Sequence, residues 1–167
     1  FRIFSRLIIT NDHNLVIFSG TAPIDIERFE IGVGTAVLAW TSLTNWTFAV
    51  LMPGSSEFAI GAVAANGSGY SFSGYFKFTG HNPSPSEAVL INEIMHDPMH
   101  PERDFIEIHN PHPTATFLIE DWFLKGVDYE LNGYPFLTNG QYLVLAKHRA
   151  AFPPAYGADI PVHGEFP

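Results

Sequence analysis

Between residues 14 and 79 the chain alternates short apolar runs with turn-forming residues, and nowhere in that stretch does a helical period last. The runs are NLVIFSG, IDIERFEIG, TAVLAW, NWTFAVLM, SEFAIGAVAA and YSFSGYFKFT, each bounded by Gly, Pro, Asn or Ser. Strands of this length at this spacing predict a β-sandwich. In IDIERFEI the isoleucines at 24, 26 and 31 are interrupted by Asp25, Glu27, Arg28 and Glu30, so one face of that strand is expected in solvent. Asn66-Gly67 supplies a hairpin turn, because both residues tolerate positive φ.

A chain of 167 residues fits two domains of roughly 80 residues each. The boundary is expected at TGHNPSPSEA, which carries no apolar run and is stiffened by proline, with residues 81–87 as the linker between 1–80 and 88–167. Beyond it come VLINEIM, DFIEIHN, TFLIEDWFLKG, DYEL and GQYLVLAK, with turns at Asn132-Gly133 and Asn139-Gly140. The one helical candidate, KHRAAFPPAYG, is expected to stop after about a turn at Pro153-Pro154. With 15 Phe, 14 Gly and 13 Pro, the composition favours the same class: all-β, two sandwiches in tandem.

Charge and residue usage exclude several functions. Seventeen acidic against 8 basic side chains give a net charge of −9, which repels phosphate backbones and argues against nucleic-acid binding. No cysteine is present, so disulfides, thiol catalysis and thiolate metal sites are ruled out. No apolar run approaches the roughly 20 residues of a membrane-spanning helix, so membrane insertion is not expected. The opening FRIFSRLIIT has neither an initiator Met nor the apolar core of a signal peptide, and reads as a mature product or a piece of something longer.

The second half resembles a known family. VLINEIMHDP, a polar loop, DFIEIHNP, IEDWFLKGVDYEL and GQYLVLAK together resemble the bacterial branch of the lamin-tail domain family, an immunoglobulin-like β-sandwich. The matching positions are Ile91-Asn92-Glu93, Asp104, Glu107, Asn110, Trp122 and Gly140 through Val144, within about residues 88–166. Leu118-Ile119-Glu120-Asp121 stands where the family more often has Leu-Ser-Gly before the Trp. The first half is similar to the immunoglobulin-like modules that precede such domains. The resemblance implies an extracellular or cell-surface location, no catalysis, and protein partners: copies of the chain or neighbouring domains. It also implies further strands beyond Pro167, so the second sandwich is expected to be incomplete and covered by another molecule, in a filament-like assembly with Ile160–Phe166 near the junction.

The segment INEIMHDPMHPERDFIEIHNP crowds eight acidic and histidine side chains together. His96 and His100 would share a helix face, but Pro98 and Pro101 oppose a helix. Asp97, Glu102 and Asp104 are weak calcium candidates, since calcium accepts oxygen ligands from irregular loops. Glu93 and Glu107 lie on strands that could neighbour each other, and two carboxylates across a cleft have the chemistry of a hydrolytic pair. Strict alternation would group Glu93 with Ile91 and Met95, and Glu107 with Phe105 and His109. The plainer expectation makes Asn92, Glu93, Glu107 and Asn110 structural, hydrogen-bonding loop backbones at one end of the sandwich. No nucleophile elbow or phosphate loop accompanies them, so neither catalytic residues nor cofactors are assigned. Trp40, Trp46 and Trp122 are expected in the cores, and Tyr70, Tyr75, Tyr134 and Tyr142 at the surface. A glycan-binding accessory region of an exported enzyme is the alternative function, with tryptophan or tyrosine as stacking platform. Asn45 and Asn66 head N-glycosylation triplets.

Overall fold

A computed structural model describes every residue except Ser5, Leu7, Asp97, Pro98 and Tyr134, and only the backbone of Thr35. The chain divides into two compact units, Phe1–Asn82 and Pro83–Pro167.

The first unit contains β1 (Arg2–Ile3), β2 (Ile8–Asn11), β3 (Leu15–Thr21), β4 (Ile26–Ile31), β5 (Thr35–Trp40), β6 (Asn45–Leu51), β7 (Ser56–Ala64) and β8 (Gly69–Phe78). One sheet runs β1-β3-β6-β5 and the other β2-β8-β7-β4. All pairings are antiparallel except β2 with β8. This is the immunoglobulin order, with the first strand divided between the two sheets. Alternation places Val16, Phe18, Trp46, Phe48 and Val50 of one sheet against Phe58, Ile60 and Phe76 of the other, all buried. Trp46 stacks on Phe1 at 5.7 Å and meets Phe29 at 5.3 Å. Gly20 lies beneath it, where an added Cβ would strike the indole and the Arg2 carbonyl.

Two details refine the expected strands. The β7–β8 hairpin closes through Ala64 N–H to Ser68 O, and only Gly67 (φ +84°) is left-handed there; Asn66 instead accepts the Ser68 N–H on its side chain. In β4 the pairing with β7 shifts between Ile26 and Arg28, so Glu27 forms a bulge. That extra residue returns Phe29 to the side of Ile26, and both pack on the core.

The segment expected as a linker is structured at both ends. The Asn82 side chain accepts a hydrogen bond from Asn14 at 2.9 Å within the first unit. Two residues later the Ser84 N–H bonds the Glu87 carboxylate and opens a helical turn, α1 (Pro85–Ala88), whose Ala88 enters the core of the second unit.

The second unit is built on one sheet in the order β16-β15-β10-β9, comprising β9 (Leu90–Met95), β10 (Phe105–His109), β15 (Tyr142–Ala146) and β16 (Val162–Glu165). Facing it are two short ladders, β11 (Phe117–Leu118) with β14 (Phe136–Leu137) and β12 (Phe123–Leu124) with β13 (Tyr129–Glu130). Ile106, Ile108, Leu143 and Leu145 pack between these layers with Phe117, Ile119, Leu131 and Leu137. On the other face of the sheet Phe105, Val144 and Ala146 lie under Phe152 of α2 (Phe152–Tyr156). Pro153-Pro154 fall in the first turn of α2 and open it, where a missing N–H costs nothing; Gly157 (φ +119°) follows its end. The Ile160–Phe166 segment, expected at an intermolecular junction, is used within the chain: β16 pairs parallel to β15 and Phe166 is buried.

Candidate functional site

β9 pairs through Ile94 with Ile106, through Glu93 with Glu107, and through Ile91 with Ile108, which leaves Asn92 as an extra residue. Strict alternation fails at that bulge: Ile91 and Ile94, three apart, both take the core side of the sheet. Each remains largely in solvent, Ile91 60% and Ile94 66% exposed. β9 is the end strand, and its outer backbone edge has no strand partner among the described residues.

Beneath this edge the core opens into a groove of about 640 Å³. Ile91, Ile94, Ile106 and Ile108 form one wall, with Trp122 and Leu124 opposite; among the described residues Lys125 is the one charged lining residue. The far wall is set by a tight turn in which Trp122 N–H bonds Ile119 O and Leu131 N–H bonds Trp122 O. Asp121 in that turn has φ +65°, a left-handed region that Asp tolerates better than most residues with a side chain.

The polar residues singled out in the sequence separate into two groups. Asn110 is fully buried and ties loops together: its Nδ2 donates to the carbonyls of Ala115, Leu137 and Thr138 at 2.8–3.1 Å, and its Oδ1 accepts the His112 N–H. His112 continues this, with Nδ1 accepting the N–H groups of Thr114 and Ala115. Asn92 and Glu107 instead bond each other, Nδ2 to Oε1 at 2.6 Å. Glu93 sits opposite Glu107 on the sheet face away from the groove, and its exposed carboxylate has no hydrogen-bond partner among the described residues.

In the loop between β9 and β10, His96 Nδ1 meets Asp104 Oδ2 at 2.9 Å, and Glu102 is exposed in a 3-10 turn at Pro101–Arg103. Asp97 lies outside the described residues. Among those described, no group of three or more His, Asp or Glu side chains is placed to hold a metal ion. The tryptophans differ: Trp46 is buried, Trp122 half-buried, and Trp40 45% exposed with its ring edge-on to Phe29, contrary to a core position for all three. Trp40 lies on β5, an end strand of its sheet among the described residues. Tyr142 and Tyr75 are exposed, Tyr70 is half-buried against Phe1, and Tyr134 lies outside the described residues. Tyr142 stacks on His109 at 3.8 Å, so one of its faces is already taken. Asn45 and Asn66 are both exposed. At the opposite end of the sheet, burial, helped by the charge of Arg149, holds the His163 imidazole below its ordinary pKa.

No protein-family model matches the chain, and a search of curated proteins finds no match. Among the described residues no helix is long and apolar enough to cross a membrane.

Proposed function

We propose that this chain is a non-catalytic region of a bacterial surface or secreted protein, and that it adheres or assembles by receiving an extended segment of another protein chain along β9. The observation that carries this reading is the coincidence of an unpaired strand edge with an apolar groove under it. A bare edge supplies backbone donors and acceptors, and the groove supplies sites for alternate side chains, the two elements of strand addition. Left wet, such an edge invites aggregation. The bacterial and surface assignment draws on the lamin-tail motifs.

Hydrogen exchange with a synthetic extended peptide of alternating Val and Thr tests the proposal. The amides of Leu90–Met95 should gain protection, and Ile94→Lys should abolish the gain. Unchanged exchange in β9, together with glycan binding lost on Trp40→Ala, would replace this reading with the carbohydrate-binding one.

A further inference from the structure

We propose that the occupant of the β9 edge is a second copy of this chain, paired antiparallel, β9 to β9, about a two-fold axis between Asn92 and Glu93; this rests on β9 being the docking edge. A two-fold interface must be self-complementary. The strand reads Leu-Ile-Asn-Glu-Ile-Met, apolar, apolar, polar, polar, apolar, apolar, and so has the same pattern in both directions about its centre. Pairing about that centre sets Ile91 against Ile94 of the other copy and Asn92 against its Glu93.

The bulge makes the faces agree. Because Ile91 and Ile94 both take the groove side, both isoleucine pairs fall there, and each copy brings two apolar side chains to the mouth of the other's groove. The charges agree as well. Glu93 is the one charged residue of β9, it lacks a partner among the described residues, and its cross-strand neighbour within the chain is another acid, Glu107. Like charges directly opposed are unfavourable, and an amide relieves them. Asn92 already gives one N–H to Glu107, and its second is available to the other copy's Glu93. The alternative edge, β16, reads Val-His-Gly-Glu and offers no pair of apolar residues to match Ile91 and Ile94. A closed dimer is therefore favoured over a head-to-tail filament.

Sedimentation of the full chain over a concentration series, combined with cysteine cross-linking, tests this. Association should end at the dimer, and Ile94→Lys should weaken it roughly tenfold or more, whereas Ile17→Lys, on an exposed site of the first unit, should not. The chain has no cysteine of its own. A mixture of Ile91→Cys and Ile94→Cys chains should form a disulfide under mild oxidation. Ile91→Cys alone should not, since the two copies of that position lie about 10 Å apart along the strands. A monomer at every concentration, open-ended polymers, or equal cross-linking by Ile91→Cys alone would each overturn the self-pairing. If the chain stays monomeric while the Val/Thr peptide still protects β9, only the identity of the occupant is wrong; if both fail, so is the docking reading.

Discussion

Asn110 shows how one side chain can fix several loops. Its amide faces the carbonyls of Ala115, Leu137 and Thr138 in a buried site, so truncation leaves polar groups dry and unpaired. Asn110→Ala should cost about 2–3 kcal/mol in urea unfolding. Asn110→Asp should be no better, since it points oxygen at oxygen. His163 gives a pH dependence whose sign follows from its surroundings. Burial first, then Arg149, lowers the folded-state pKa below the ordinary value of 6.5. The unfolded chain therefore takes up the proton more readily, and the stability due to neutral His163 is full above that value and declines as the pH falls below it. Urea midpoints measured at about pH 7.5 and about pH 5.5 should differ less in His163→Asn than in the parent.

Bulges and turns account for most of what the strand pattern conceals. The six runs of the first unit correspond closely to β3 through β8; β3, β6 and β7 alternate over seven or more residues against a buried face, a pattern hard to mimic, while β4 and β5 show mainly as apolar runs between turns. Two-residue strands such as β1 and β14 carry no period at all and depend on neighbours distant in the chain. Of the residues expected to bond loop backbones, Asn110 does so while Asn92 and Glu107 bond each other, and the groove leaves no trace in the sequence because its walls lie on separate elements joined only by folding. One signal was present: apolar residues three apart within a strand, Ile26 with Phe29 and Ile91 with Ile94, mark the bulges of β4 and β9. In β4 the pair is covered by the opposite sheet; in β9 it is bare. The hairpin after β7 offers a direct check on turn chemistry. Gly67→Ala should destabilise by about 1 kcal/mol because its φ is +84°, while Asn66→Ala should lose only the smaller contribution of a side-chain bond to Ser68.

At the scale of the whole chain, each unit has a core of its own, so damage to one should register there first. Phe18 is buried among Phe58 and its neighbours, and Phe18→Ala should remove about 3–5 kcal/mol from the first unit. Hydrogen exchange should then quicken in β3 and β6 while the amides of β10 and β15 keep their protection. The interruption of the apolar runs by TGHNPSPSEA is plain in the sequence, and the boundary between the two compact units, Asn82 to Pro83, falls inside it. Its ordered ends were not, since the bonds of Asn82 to Asn14 and of Ser84 to Glu87 involve polar residues that leave no pattern. The placement of the tryptophans also makes the molecule an optical instrument. Trp46 is sealed from water, Trp40 is 45% exposed, and Trp122 lines the groove at an intermediate depth. Filling the groove would dehydrate Trp122 alone, so its emission should move to shorter wavelength and escape acrylamide quenching while the other two hold constant, and a Trp40→Phe chain would report occupancy without any attached dye.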